Sequence, residues 1–115
     1  MKILITGTRK TNDVSFISDK LNREVKKDDI IIHGGAPGVD SIAEAWCKSN
    51  NVKSIIIRPI FESKKEYYLY RNVEMIVMSD KVVAFWDGVS RGTKFTIAYA
   101  KKRDKDVKVF KMDCI

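Results

Sequence analysis

Five short runs of β-branched and other apolar residues punctuate this chain: Ile3-Leu4-Ile5, Ile30-Ile31-Ile32, Ile55-Ile56-Ile57, Val82-Val83-Ala84-Phe85, and Val107 to Phe110. Most are continuous rather than alternating, the pattern of strands covered on both faces. Helix-length segments separate them, at roughly 13–26, 39–50, 63–78 and 92–103. Strands alternating with helices form βαβ units, and right-handed crossovers wind such units into a parallel sheet. The expected fold is therefore α/β: a single Rossmann-like, doubly wound parallel sheet of about five strands with helices on both faces. A length of 115 residues suits one compact domain, and no linker, repeat or low-complexity tract interrupts it, so residues 1–115 are read as one unit.

Two helices carry readable faces. In the second, Val39, Ile42, Ala43 and Trp46 form a stripe that can lie on the sheet. The third, Tyr67 to Met78, holds Tyr67, Tyr68, Leu69, Tyr70, Val73, Met75, Ile76, Val77 and Met78, more apolar surface than one face needs. Such aromatic and Met enrichment suits a partner surface, and hence a homo-oligomer. A deeply buried helix in a small fold accounts for it equally well, so both readings stand.

Composition narrows the class. An apolar fraction of 44% permits a real core. The apolar runs are far shorter than the ~20 residues that span a bilayer, so no membrane segment is expected. Met1 to Ile5 is too short for the apolar region of a signal peptide. Cys47 and Cys114 form neither a disulfide framework nor a metal knuckle, which fits a reducing, cytoplasmic setting. The formal net charge of +7 would attract anionic ligands or nucleic acid. A lysine-rich solubilising surface explains it as simply, and Lys101, Lys102 and Arg103 stand where cations favour a helix C-terminus.

The glycines say more. Five of the six fall in two turns, His33-Gly34-Gly35-Ala36-Pro37-Gly38-Val39-Asp40 after the second strand and Asp87-Gly88-Val89-Ser90-Arg91-Gly92-Thr93 after the fourth, while Gly7 follows the first. In a doubly wound sheet these turns lie at the carboxyl edge, where ligands bind. Glycine allows a ligand close to the main chain, and the following helix N-terminus offers free N–H groups to an anion. Thr8, Ser90 and Thr93 add hydroxyls, and Arg9 and Arg91 add guanidinium forks suited to phosphate. The expected partner is a phosphate-bearing, nucleotide-like small molecule, although tight βα turns also need glycine.

Other chemistries are poorly matched. No Gly-x4-Gly-Lys-Ser/Thr loop occurs, since Lys94 follows Thr93. The Gly-x-Gly-x-x-Gly fingerprint is missing as well, which argues against ATP hydrolysis and nicotinamide redox chemistry. No clustering of His, Cys and carboxylates suggests a metal, and no cofactor is expected. Asp40 and Glu44 share a helix face, read as a first-turn acid favouring the dipole and a solvent-facing Glu. Asp87, at a strand end, is placed to hydrogen-bond a ribose hydroxyl. His33 is the sole histidine, a residue type whose unperturbed pKa lies near neutrality and that can act as an acid–base group, yet a strand-end histidine is ordinary.

Taken in order, Gly7-Thr8-Arg9, Gly34-Gly35-Ala36-x-Gly38-Val39-Asp40, Arg71-Asn72 and Ala84-Phe85-Trp86-Asp87-Gly88-x-Ser90-Arg91-Gly92-Thr93 resemble the YspA-like family of the SLOG superfamily. That superfamily includes the DprA/Smf DNA-processing proteins and the LOG phosphoribohydrolases. The resemblance runs over nearly the whole chain; Thr8 stands where the family usually has serine. It implies a nucleotide-derived ligand between the first and fourth strands. Gly7, Thr8 and Arg9 would line its phosphate or ribose end. Gly34, Gly35, Gly38 and Asp40 would form a second wall, and Asp87, Ser90, Arg91, Gly92 and Thr93 a third, with Arg71 and Asn72 reaching in from the third helix.

Three functions follow from the resemblance. One is a binding module for an ADP-ribose-type or cyclic-nucleotide signal, acting as a sensor or as a sponge against antiviral defence. The others are a nucleotide N-glycosidase or phosphoribohydrolase, and a DNA-binding module like DprA. LOG hydrolases carry a glutamate in their Pro-Gly-Gly-x-Gly-Thr-x-x-Glu turn; here Thr96 takes that place, which weighs against hydrolysis.

Overall fold

The computed structural model describes residues 1–59 and 65–113, for Lys65 and Glu66 the backbone alone. Cys114 and positions 63 and 64 of the expected third helix lie outside the described residues. The elements are β1 (Lys2–Gly7), α1 (Val14–Glu24), β2 (Ile30–His33), α2 (Val39–Asn50), β3 (Lys53–Ile56), α3 (Lys65–Met78), β4 (Lys81–Trp86), α4 (Arg91–Lys102) and β5 (Asp106–Lys111). All strand pairs are parallel, in the order β3-β2-β1-β4-β5. This is the expected Rossmann-like sheet.

Local chemistry sets several element ends. The Asp13 carboxylate accepts the Phe16 amide at 3.1 Å and caps α1. Asn51, in the left-handed conformation, closes α2, and the Val52 amide returns to the Cys47 carbonyl. β3 begins two residues earlier than the isoleucine run and ends at Ile56, because its register sets Lys53 opposite Ile30 and Ile56 opposite His33, where β2 stops.

Successive strand residues point to opposite faces, and both faces are covered. Ile3, Ile5, Ile31, Val83 and Phe85 join Ile17 and Leu21 of α1 and Val39, Ala43 and Trp46 of α2 in one core. Leu4, Ile32 and Val82 join Met75 and Ile76 of α3 and Ala100 of α4 in the other. Each fully buried aliphatic side chain contributes about 1.5–3 kcal/mol. The stripe read on α2 does face the sheet, with Ile42 only partly buried. On α3, Arg71, Met75 and Ile76 are buried while Leu69, Tyr70 and Val77 are exposed, so the helix has one buried face and one open apolar face. Among the described residues no helix is long and apolar enough to cross a membrane.

This winding positions the site. β1 and β4 are neighbours, yet β1 leads to α1 on one face and β4 to α4 on the other. Their outgoing loops part, and a crevice opens beyond their carboxyl ends. Gly38, the α2 N-cap, closes one side: its φ is 79°, and a Cβ there would lie 2.5 Å from the Thr8 carbonyl oxygen. That carbonyl accepts the Val39 amide at 3.1 Å, which ties the β1 loop to the start of α2.

Gly38→Ala is expected to lower stability by about 1–3 kcal/mol through φ strain and collision with that loop. Gly92→Ala, where the added methyl meets nothing within 4 Å beyond its chain neighbours and its own helix backbone, should leave stability within about 1 kcal/mol. Urea unfolding of both variants checks the contrast.

Candidate functional site

At the β1/β4 crevice lies a cleft of about 420 Å³. Thr6 to Lys10 line it from the end of β1, and Asp87 with Val89 to Thr93 from the end of β4. Arg71, Asn72 and Met75 enter from α3, Ala36 and Asp40 from the start of α2. Of the site residues named from sequence, Gly7, Thr8, Arg9, Asp40, Arg71, Asn72, Asp87, Ser90, Arg91, Gly92 and Thr93 come together here. Gly34, Gly35 and Gly38 do not line the cleft.

The loop after β4 is organised around Asp87. Its Oδ1 accepts the amides of Val89 and Ser90 at 2.9 and 2.8 Å, and its Oδ2 accepts the hydroxyls of Ser90 and Thr8 at 2.9 and 3.2 Å. These bonds, the Ser90 amide first, hold its pKa down to about 2. Both oxygens already accept two donors each, so Asp87 braces the loop and crosslinks it to β1. The Ser90 hydroxyl, drawn to Asp87, makes no cap to α4, so among the described residues no side-chain cap claims the first-turn amides of that helix at Arg91–Thr93.

The glycine turn after β2 works differently from an open phosphate cradle. The amides of Gly34 and Ala36 both donate to Asp40 Oδ2, at 3.0 and 3.2 Å. These two amides, either side of a Gly35 amide that turns to His33, form an anion nest, and the chain fills it with its own carboxylate. Asp40 is buried, and desolvation pushes its pKa up against the pull of those amides and of His33 and Arg71. Of the expected second wall only Asp40 lines the cleft, joined by Ala36.

Arg71 is only 7% exposed. Its Nη1 donates to the carbonyls of Gly34 and Ile57 at 2.8 and 3.4 Å, and its Nε to Asn72 Oδ1 at 3.0 Å. Burial lowers its pKa, with Asp40 opposing. Its guanidinium carbon lies 5.3 Å from the centre of the Tyr68 ring, and that of Arg9 lies 5.2 Å from the same ring. One aromatic ring therefore holds two guanidinium groups by cation–π attraction. Tyr68, expected as part of an apolar surface, instead serves these two cations; its place three residues before Arg71 on a helix is the signal the sequence offers. Lys10, Thr6, Met75 and Val89 also line the cleft without having been singled out. Among the described residues, none of Arg9, Lys10, Arg71 or Arg91 makes a salt bridge.

His33 lies outside the cleft lining, buried, with Nε2 2.7 Å from Glu44 Oε1. Glu44 is therefore not the solvent-facing residue expected; the His33 hydrogen bond, then one from Ser54, lowers its pKa. Thr96 is buried and donates its hydroxyl to the Gly92 carbonyl at 3.0 Å, within α4. Among the described residues no group of three or more His, Cys, Asp and Glu side chains is arranged to hold a metal ion.

Fold and cleft together define a Rossmann-like α/β protein with a cationic crevice at its topological switch point. The YAcAr family model, for the YspA, cpYpsA-related SLOG family, matches residues 1–63, and the chain belongs to that family. It is 30% identical over 111 residues to the Gene 61 protein of Mycobacterium phage D29, a match covering 88% of this chain and 89% of that protein. Among solved structures it is similar to DNA processing protein A (DprA) of Streptococcus pneumoniae, with a TM-score of 0.82 and 17% identity over 94% of this chain. DprA of Helicobacter pylori, described for its single-stranded DNA binding mode, gives a TM-score of 0.72 at 23% identity over 95% of this chain. TM1055 gives 0.70 at 20% identity, covering 92% of this chain and 71% of that one. The chain spans 49% of the S. pneumoniae protein and 64% of the H. pylori one. At these identities the structural likeness concerns the fold.

Asp87→Ala should destabilise the protein by about 1–3 kcal/mol at neutral pH, the scale of hydrogen bonds to a charged group. Because its pKa is depressed in the folded state, its contribution is complete above the ordinary value of 3.8 and is lost as pH falls through about 2. Urea midpoints of variant and parent should therefore converge as the solution is acidified over that window.

Proposed function

We propose that this is a cytosolic binding protein that holds a nucleotide-derived anion, of ADP-ribose type or a cyclic nucleotide, in the β1/β4 cleft as a sensor or a sequestering sponge. One observation carries the reading: Arg9, Lys10, Arg71 and Arg91 line the cleft without salt bridges among the described residues, while the lining carboxylates Asp40 and Asp87 are taken up by the protein's own amides and hydroxyls. The cleft thus carries a positive field with little internal neutralisation. The α4 first-turn amides beside Arg91 suit a phosphate.

The same observation favours binding over hydrolysis. Cleavage of an N-glycosidic bond needs a carboxyl group to shield the cationic centre or move a proton. Asp87, with a pKa of about 2 and its lone pairs engaged, is a poor base, and Asp40 is locked in its nest. Similarity to a phage protein over most of both chains is in keeping with the sponge variant.

Mass spectrometry of the small molecules co-purifying with the protein, followed by incubation with ADP-ribose and chromatography, tests this reading. An intact nucleotide returned on denaturation is expected; a released base would overturn it in favour of the hydrolase. Arg9→Ala and Arg91→Ala should each weaken binding by about 1.5–3 kcal/mol in calorimetry. Unchanged affinity in both would move the site elsewhere.

A second reading, nucleic-acid binding, is favoured by the likeness to the DprA fold together with the net charge of +7. It predicts that affinity for single-stranded DNA falls steeply with salt, whereas a small pocket ligand depends on salt only weakly.

We propose further that the protein self-associates through the open face of α3, where Leu69, Tyr70 and Val77 are 42%, 66% and 48% exposed. Sedimentation velocity should show an oligomer that Tyr70→Glu converts to monomer; a monomeric parent would refute this.

A further inference from the structure

The buried ring of His33 adjoins the turn that seats Arg71, and its two nitrogens have different partners. Nδ1 accepts the Gly35 amide at 3.0 Å. An amide N–H can only donate, so Nδ1 carries no proton. The ring proton is then on Nε2, which donates to Glu44 Oε1 at 2.7 Å.

The Gly35 N–H and the Gly34 C=O belong to one planar peptide group. At one end that group donates to His33; at the other it accepts Arg71 Nη1 at 2.8 Å. There is no slack beside it, since a Cβ on Gly34 would lie 2.3 Å from Nη1. The flanking amides of Gly34 and Ala36 are pinned by Asp40.

We infer that His33 is a positioning residue for Arg71: its neutral ring fixes the Gly34–Gly35 peptide that seats the guanidinium at the cleft, and a proton on Nδ1 releases it. Two donors would then oppose each other at 3.0 Å, and the peptide must turn. Being rigid, it carries its carbonyl off Arg71 as it turns. The groups facing the ring divide. Glu44 and Asp40 of α2 favour the cation, and Ser54 of β3 and Lys48 act on it through Glu44. Arg71 of α3 and Arg58, which borders Gly35, oppose it. The consequence for binding rests on the ligand reading above: affinity for an anion in the cleft should fall on acidification.

His33 is the sole histidine, so its ring nitrogen signals are unambiguous in an isotope-labelled chain. NMR of the whole protein from about pH 8 to about pH 5 would follow the ring nitrogens, the Gly35 amide and Arg71 Nε. The Nε2-protonated tautomer is expected at the start, and all three signals should share one midpoint. ADP-ribose affinity should drop roughly tenfold through it, the scale of one charge-assisted hydrogen bond. His33→Asn keeps an acceptor for the Gly35 amide and cannot titrate, so Arg71 Nε and the affinity should become flat over the same range; should that variant not fold, the wild-type midpoints decide alone. An Nδ1-protonated tautomer, a ring that stays neutral throughout, or an Arg71 signal that ignores the ring's titration would overturn the inference. Failure of ADP-ribose to bind at any pH would instead count against the ligand reading, and the NMR midpoints would still decide the coupling.

Discussion

The site depends on a reversal of winding: β1 and β4 lie side by side but send their chains to opposite faces of the sheet. Strand order reverses at this pair: β1 to β2 to β3 proceeds outward on one side, with α1 and α2 on one face, and β4 to β5 outward on the other, with α4 on the opposite face. A crevice at that point is a geometric consequence of the crossovers and needs no special residue. Specific residues decide its width and lining. The Thr8 hydroxyl bonded to Asp87 ties the walls together at the bottom, and the Thr8 carbonyl bonded to the Val39 amide anchors the β1 loop to α2. Thr8 is therefore both a lining residue and the hinge-pin of two loops, which explains its near-complete burial.

Electrostatics then divide the glycine turns by role. Both look alike in sequence, as amides and glycines leading into a helix. The turn after β2 is followed by Asp40, and its amides are satisfied internally at 3.0 and 3.2 Å. In the turn after β4 the carboxylate comes first, at Asp87, and folds the loop back on itself, diverting Ser90 from capping α4. One turn has become a structural bracket, and the other keeps a helix N-terminus clear of side-chain caps beside Arg91. An arrangement of this kind fits one anion subsite on the β4 side better than two facing ones.

Much of this was legible in the sequence. Continuous isoleucine and valine runs between helix-length segments specify a parallel, doubly wound sheet because strand period and burial on both faces leave few alternatives. The residues after β1 and β4 were legible as cleft residues for the same reason: topology delivers them to one edge whatever their side chains do. The partners of buried polar groups were not legible. That Asp40 would turn back to Gly34 and Ala36, that Glu44 would meet His33, and that Tyr68 would hold two arginines depends on distances across β2, α2 and α3. Local periodicity places those residues on faces, but hydrogen-bond direction is settled only by packing. Gly34 and Gly35 illustrate the limit, since their pattern announces an anion and leaves open whose anion it is.

Arg71 is the most informative expenditure of stability in the molecule. A guanidinium at 7% exposure with no salt bridge among the described residues is costly, because desolvation is offset by carbonyls, an amide oxygen, an aromatic ring and the charge of Asp40, which is not in salt-bridge contact. A direct ion pair with Asp40 would be the simpler solution, yet Asp40 is turned to the nest. Neutral partners orient the group while leaving its charge largely uncancelled at the cleft wall. A fold whose only need was stability would gain from an apolar residue at that position. The arrangement makes physical sense when an anion from outside completes the coordination, and it makes the setting of the Gly34–Gly35 peptide, rather than the presence of the arginine alone, the quantity that governs how strongly that anion is held.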